Sequence, residues 1–118
     1  MQIRYRNENG RSIALVEADS VIFNTVQDML DVMVGCSWDG AEIIVIEEKH
    51  LLPEFFELKS GIAGEMLQKF SNYRLRLGII GDFSKYDSKS LRDFIRESNR
   101  SERILFVESE EDLLRRLG

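Results

Sequence analysis

The sequence predicts a single α/β domain built on one mixed, mostly parallel five-stranded sheet, and three observations lead to that fold class. Two short runs with strand patterns near the N-terminus flank the turn sequence Asn-Glu-Asn-Gly at residues 7–10, which predicts an antiparallel hairpin. Three further apolar runs follow, and amphipathic segments with helical spacing separate them. Strands that alternate with helices are typical of parallel pairing through right-handed crossovers. The predicted order is β-β-α-β-α-β-α-β-α.

Composition and charge restrict the class of protein. The chain has 118 residues, of which 43% are hydrophobic and 31% are charged, as is typical of one globular domain spanning residues 1–118. The net charge of −5 argues against nonspecific binding to nucleic acid, which requires a cationic surface. The single cysteine, Cys36, excludes an intramolecular disulfide and favours a reducing compartment. No run is apolar enough for a signal peptide or a membrane helix, so we expect a cytoplasmic protein without a membrane partner.

Five runs predict the strands. The first alternates, with Ile3 and Tyr5 on one face and polar residues on the other, as in a half-buried strand. The interior runs are nearly continuous and rich in branched residues, which is typical of strands covered on both faces. The predicted strands span residues 2–7, 12–16, 41–46, 75–80 and 104–107.

Four amphipathic segments predict the main helices. The first has Asp19 or Ser20 as its N-cap, runs to about Val34 and ends at Gly35. A short turn of helix starts at Pro53. The remaining predicted caps are Ser60 for a helix over residues 61–72, Ser88 or Ser90 for the next helix, and Ser109 with Asp112 for the last.

Long segments of the chain resemble one bacterial family. They are TVQDMLDVM at residues 25–33, FFELKSGIAGEMLQKFSNYRLRLGIIGDFSKY at 55–86, SKSLRDFIRESNR at 88–100 and ILFVESEEDLLRRL at 104–117. The family that they resemble is known as domain of unknown function 4180. Because that family has no assigned activity, the resemblance implies membership rather than a function.

A second resemblance concerns the fold. The element order, the strand that ends in Ile80-Gly81-Asp82 and the Glu-rich start of the last helix are similar to the SpoIIAA-like, or STAS-like, domains. Members of that fold class mostly bind protein partners or small ligands rather than catalyse reactions. The resemblance therefore implies a binding module, although a fold by itself does not specify a function.

The densest polar cluster predicts a binding surface on the second main helix. Glu65, Gln68, Lys69 and Asn72 are spaced three and four apart, so they share one face of the helix. We expect Tyr73, Arg74 and Asp82 to lie beside that face. An exposed, solvated helix face is the alternative interpretation, and a buried polar network of Glu65, Lys69, Asn72 and Tyr73 is another. The predicted surface consists of Glu65, Gln68, Lys69, Asn72, Tyr73, Arg74 and Asp82.

Carboxylates gather at the ends of two predicted parallel strands. Asp82 follows one strand, and Glu47 with Glu48 ends the preceding strand at the same edge of the sheet. Open α/β sheets bind ligands at such carboxyl ends, and these carboxylates could hold a hard cation. Asp82 could instead cap a turn through its side chain. Without a His or a fixed ligand spacing, the sequence predicts neither a metal site nor a cofactor.

Reactive residues are few. His50 is the only histidine and Cys36 the only thiol, and no catalytic motif surrounds either. Ser60 lacks the nucleophile-elbow motif, so we predict no catalytic residues. The alternative is a small enzyme in which Glu65 and Asp82 act as acid and base, with Lys69 or Arg76 stabilising charge.

Two further patterns leave alternatives open. The basic stretch at residues 85–103 could bind phosphate or an acidic partner, but interspersed carboxylates favour a salt-bridged, solvated face. Trp38, Phe55 and Phe56 could form an exposed interface patch, but aromatic side chains are more often buried in the core. Together the patterns predict a non-catalytic binding or regulatory module that recognises a protein partner or small ligand and that could form a homodimer.

Overall fold

The structure, a computed structural model, describes residues 1–117 and contains one five-stranded sheet. The strand order across the sheet follows the chain, and only the first pair is antiparallel. The predicted fold class, a mixed and mostly parallel sheet opened by a hairpin, is confirmed. The strands are β1 (Gln2–Glu8), β2 (Arg11–Glu17), β3 (Ile43–Glu47), β4 (Arg76–Ile80) and β5 (Ile104–Val107).

Four α-helices occur in the predicted order. They are α1 (Val26–Trp38), α2 (Ile62–Asn72), α3 (Lys89–Ser101) and α4 (Glu110–Leu117). Three short 3₁₀ turns connect β3 to α2, at Glu48–His50, Pro53–Phe56 and Leu58–Ser60. Within the described part of the chain, none of the helices has the length and apolar character needed to cross a bilayer.

The helices divide unequally between the two faces of the sheet. Because the strand order never reverses, each right-handed crossover places its helix on the same face, and the large core cluster accordingly contains Met33 of α1, Met66 of α2 and Leu91 of α3. The short helix α4 covers the opposite face with Leu113 and Leu117. A sequential strand order has no topological switch point, where such sheets usually open a ligand crevice.

The start of α1 differs from the sequence prediction. Thr25 is the N-cap, and a capping box joins its side chain and backbone to Asp28, so Asp19 and Ser20 are not the caps. The segment before Thr25 is bound to the turn after β3, because the amides of Ile22 and Phe23 both donate to the His50 carbonyl at 3.0 Å. This long-range tie keeps Phe23 out of the helix.

The end of α1 also differs. The helix continues through Gly35 to Trp38, and the glycine with a left-handed backbone is Gly40, at φ 90°. Gly35 is therefore an interior helical residue and not the stop that the sequence predicted.

The helix α2 confirms the predicted amphipathic pattern. Ala63, Met66 and Phe70 are buried against the sheet. The Ser60 hydroxyl accepts a hydrogen bond from the Ile62 amide at 3.2 Å, but the N-cap of α2 is Gly61 and not Ser60 as the sequence predicted. Gly61 between them has φ 78°, a left-handed conformation that favours glycine.

The last two helices begin at serines that the sequence predicted as caps. The Ser88 hydroxyl accepts from the Leu91 amide at 3.1 Å, which selects Ser88 over Ser90 as the cap of α3. The Ser109 hydroxyl accepts from the Asp112 amide at 3.0 Å at the start of α4. These local contacts follow from side chains that satisfy the free amides of a first helical turn.

Candidate binding site

A buried histidine shapes the carboxyl edge of the sheet. The side chain of His50 is fully buried. Its Nδ1 accepts a hydrogen bond from the Glu47 amide at 3.0 Å, and its Nε2 lies 2.9 Å from the Ala18 carbonyl. Because Nδ1 accepts, the ring proton is assigned to Nε2, which donates to Ala18, and the ring is neutral. His50 thus joins the end of β2 to the end of β3 and has no free nitrogen for chemistry.

The turn that His50 holds directs Glu48 toward the loop after β4. The side chain of Glu48 is only 14% exposed, and its Oε2 lies 2.7 Å from the Lys85 ammonium. The Tyr86 hydroxyl donates to the same oxygen. A nearly buried carboxylate is therefore shared by two donors from the neighbouring loop, and Glu48, Lys85 and Tyr86 are named here the edge cluster.

The edge cluster requires a glycine at the end of β4. A Cβ atom at Gly81 would lie 2.7 Å from Glu48 Oε1 and 2.8 Å from Glu48 Cβ, which is closer than nonbonded carbon atoms approach. The backbone at Gly81 is not left-handed, so the requirement is steric. The absence of a side chain is what lets the carboxylate lie against the strand end.

Aromatic stacking fixes the position of Tyr86. Its ring stacks on Phe56, with centroids 4.8 Å apart and planes 15° apart, and Phe56 meets Phe55 edge-on at 5.0 Å. The Lys85 ammonium lies 5.5 Å from the centroid of the Tyr86 ring, within range of a cation–π contact. Phe55 and Phe56 are buried, as the sequence predicted.

A shallow cleft of about 290 Å³ opens at this edge, and it is named here the edge cleft. Its lining combines apolar side chains with two ammonium groups, a phenol and a carboxylate. The apolar lining residues are Val21, Leu51, Pro53 and Phe56, and the polar ones are Glu48, Lys49, Lys85 and Tyr86. A pocket that combines an apolar wall with a few convergent polar groups is typical of small-molecule sites.

The phenol of Tyr86 is a hydrogen-bond donor at neutral pH. Burial raises its pKa well above the ordinary value, and the hydrogen bond to Glu48 raises the pKa further. The pKa of the buried Cys36 thiol is also raised, chiefly by burial. Tyr86 therefore remains a hydrogen-bond donor to Glu48, and the only thiol lies in the core.

Alkaline pH should destabilise the wild-type protein more than Tyr86→Phe. The pKa of Tyr86 is raised on folding, so its stabilising contribution is intact below the unfolded value of about 10 and is lost as pH rises through the folded value. Urea unfolding of both proteins between about pH 8 and pH 11 should show that the free energy of unfolding falls more steeply with pH for the wild type. Parallel curves would contradict the assigned hydrogen bond.

The residues predicted as a binding surface do not all come together. Glu65, Gln68 and Asn72 are exposed on α2 and Lys69 is half-buried, and no hydrogen bond within residues 1–117 joins them, so the buried-network interpretation is wrong. Tyr73 and Arg74 are exposed at the C-terminal end of α2, before β4 begins.

Asp82 lies apart from that surface. It follows β4 at the carboxyl edge, whereas Arg74 precedes β4 at the opposite edge. Its Oδ1 accepts from the Ser84 hydroxyl at 2.6 Å and from the Ser84 amide at 3.1 Å, and these bonds lower its pKa. Asp82 therefore caps a turn, as its alternative interpretation predicted. No hydrogen bond in the described chain links it to Glu65.

Other candidate groups are engaged in local contacts. On α3, Lys89 and Arg96 pair with Asp93, and Arg100 pairs with Glu97, which confirms a salt-bridged face. No cluster of three or more metal-ligating side chains occurs within residues 1–117.

The expected burial of Trp38 was wrong, because its side chain is 90% exposed. It is the last residue of α1 and lies outside the stripe of Met29, Met33 and Cys36 that faces the core. Sequence reasoning also missed Tyr86, and it placed Lys85 in the basic stretch rather than beside Glu48. The signal available for them was a cation and an aromatic residue in the loop after a parallel strand, at the edge already assigned to Glu48.

The fold and the edge cleft define a small α/β domain of sequential β-α units, opened by a hairpin and carrying one candidate small-ligand site. Residues 8–117 match the family described as Domain of unknown function (DUF4180), and the chain belongs to this family. No curated protein and no solved structure gives a significant match to the chain.

Proposed function

We propose that this chain is a non-catalytic binding module whose edge cleft takes a small zwitterion of amino-acid size. The observation that carries the proposal is the Glu48 carboxylate, which is 14% exposed, is held by Lys85 and lines the edge cleft. Desolvated charges with specific partners in a cleft are typical of functional sites. The cleft volume of about 290 Å³ suits a small molecule rather than a folded partner.

The charges of the edge cleft complement a zwitterion. The ligand's ammonium group would bind the Glu48 carboxylate, which lines the cleft beside Lys85 and Tyr86. The ligand's carboxylate would bind the ammonium groups of Lys85 and Lys49, and an apolar side chain would contact Val21, Leu51 and Pro53. Each part of the ligand then has a partner of matching polarity.

Binding fits the chemistry of the described residues better than catalysis does. His50 uses both ring nitrogens in structural hydrogen bonds, and Cys36 is buried with a raised pKa. Neither Glu65 nor Asp82 contacts the other, so the acid–base alternative gains no support from the geometry. A STAS-like role rests on the element order, the strand end at Ile80-Gly81-Asp82 and the Glu-rich start of the last helix. A cytoplasmic, bacterial setting is part of the same proposal and suits the single free thiol.

A titration of amide chemical shifts with L-leucine tests the proposal. We expect shifts at residues 48–51 and 81–86, with a dissociation constant of roughly 1 mM or tighter, since about 4 kcal/mol is attainable for a ligand of this size. Glu48→Gln and Lys85→Gln should each weaken binding about tenfold, because each removes one charge-assisted contact.

The matched control is Glu65→Gln/Lys69→Gln, which removes one carboxylate and one ammonium from α2 while leaving the edge cleft intact. It should bind L-leucine like the wild type. Shifts confined to α2, or no shift with any free amino acid, would exclude the edge cleft as an amino-acid site.

The exposed face of α2 is a second candidate, for a protein partner. Glu65, Gln68 and Asn72 are exposed, and their side chains make no hydrogen bond within residues 1–117, which leaves their polar groups free for a contact. A Glu65→Ala/Lys69→Ala variant should fold normally and lose that partner in a pull-down. Sedimentation of the same variant and the wild type tests whether this face supports a homodimer.

A further inference from the structure

The outward face of the helix α1 carries a stripe of exposed residues that includes two large apolar side chains, Val34 and Trp38. Asp31, Val34, Gly35 and Trp38 are spaced three and four apart, so they share one side of the helix, and all four are exposed. Trp38 is 90% exposed and Val34 is 47% exposed. Helices of this kind normally keep their large apolar residues on the side that faces the core. The only tryptophan of the chain instead lies on the surface.

An apolar groove runs beside this stripe, between α1 and the edge strand β1. It has a volume of about 330 Å³ and shares Asp31 and Gly35 with the stripe. No heavy atom lies within 4 Å of the position of a Cβ at Gly35, so the space beside this glycine is open. The Tyr5 hydroxyl donates to Asp39 at 2.7 Å, which fixes an aromatic ring next to the end of α1. The other apolar lining residues are Met1, Ile3 and Val32.

The segment that carries the stripe is acidic and has no basic side chain. Residues 12–48 contain eight carboxylates and no Lys or Arg. Asp31 accepts only from the Gln27 amide group and Asp39 from the Tyr5 hydroxyl, and no ion pair within residues 1–117 includes either of them. The C-terminal turn of α1 has no basic residue, so the negative end of the helix dipole adds to the same potential.

The helices α3 and α4 differ from α1, because ion pairs neutralise many of their charged side chains. The arginines of α3 pair with carboxylates of the same helix or of the loop before it, and Asp112 of α4 pairs with Arg115 and Arg116. The outer face of α1 therefore carries the exposed apolar residues and an unneutralised charge of one sign.

We propose that the outer face of α1 binds a cationic segment of a protein partner. An Arg or Lys of that segment stacks on the Trp38 indole, which is the ring that favours cation–π contacts most. An apolar side chain of the segment enters the groove beside Gly35, and Asp31 and Asp39 attract the positive charge. Tryptophans that become buried on association are among the residues that contribute most of the binding free energy at interfaces. Charge complementarity directs the encounter of the two partners.

Fluorescence anisotropy with a labelled synthetic peptide of alternating Arg and Leu tests the proposal. The peptide should bind the wild type at least about tenfold more tightly than a Glu/Leu peptide of equal length, and salt should weaken the binding. Trp38→Ala should weaken it about tenfold or more. The fold of Trp38→Ala should be intact by circular dichroism, because the indole makes little contact with the core. Asp31→Asn/Asp39→Asn should also weaken binding and reduce its salt dependence.

The control for general acidity is Glu108→Gln/Glu111→Gln, which removes two exposed carboxylates elsewhere and should change affinity less than about twofold. Equal affinity of the wild type and Trp38→Ala would overturn the proposal, as would an equal loss in this control. Concentration-dependent dimerisation that Trp38→Ala abolishes would assign the face to a second copy of the chain and would also overturn it.

Discussion

Replacing His50 with Phe is expected to lower the free energy of unfolding by about 2 to 6 kcal/mol. Phe keeps a ring in a fully buried position but leaves the Glu47 amide and the Ala18 carbonyl without their partner. Each buried polar group that loses its hydrogen bond costs about 1 to 3 kcal/mol. Since domains of this size are stable by only about 5 to 15 kcal/mol, the variant should unfold at much lower urea concentration.

The neighbouring residue provides the control for His50. Lys49 is exposed and makes only a long ion pair of 3.8 Å to Glu47, so Lys49→Ala should change stability by less than about 0.5 kcal/mol. A loss below about 1 kcal/mol in His50→Phe would show that the ring does not hold the ends of β2 and β3 together.

Gly81→Ala is expected to lose about 1 to 3 kcal/mol of stability and, if the proposed function is correct, the binding of L-leucine as well. The new methyl group would overlap both Glu48 Oε1 and Glu48 Cβ, so rotation of the side chain alone cannot relieve the contact. The edge cluster must then separate, and the pKa of Tyr86 should fall toward its ordinary value. Urea unfolding, a spectroscopic titration of the tyrosines and the L-leucine titration measure the three effects.

The matched control is the same substitution in an open position. Gly64 lies on the exposed side of α2, and no heavy atom lies within 4 Å of its Cβ position. Gly64→Ala should therefore stabilise the protein by roughly 0.5 to 1 kcal/mol through the higher helix propensity of alanine. Loss of stability at Gly64 equal to that at Gly81 would mean that glycine substitution in general, and not the contact with Glu48, is responsible.

The two proposed surfaces use different parts of the fold and can be tested separately. The edge cleft depends on loops at the carboxyl ends of β3 and β4, whereas the cationic-segment site depends on the outward face of α1. Trp38→Ala should leave L-leucine binding unchanged, and Lys85→Gln should leave peptide binding unchanged. Failure of one proposal therefore does not decide the other.

Local sequence patterns were sufficient for most elements because their causes are local. The alternation around Ile3 and Tyr5, the branched run in β3 and the serine caps of α3 and α4 each act within one element or one turn. The first turn of α1 was mispredicted because a distant group, the His50 carbonyl, holds Phe23 outside the helix.

The candidate site was predictable only in part. The ends of β3 and β4 were correctly expected at one edge, since parallel strands end together, and this expectation included Glu48 and Gly81. The partner of Glu48 was not predictable, because Tyr86 lies 38 residues along the chain and reaches it through a loop. The outward direction of Trp38 was missed for a similar reason, since it depends on where α1 ends.

The sequence by itself determined the α/β class, the order of the elements and the family, because periodicity, turn residues and long matching segments are properties of the chain alone. The tertiary structure decided which side chains meet. The register that pairs Glu47 with Ile80 brings the turn after β3 beside Gly81, and the stacking on Phe56 then holds Tyr86 against Glu48. Such contacts depend on the pairing of distant segments, which no local pattern encodes.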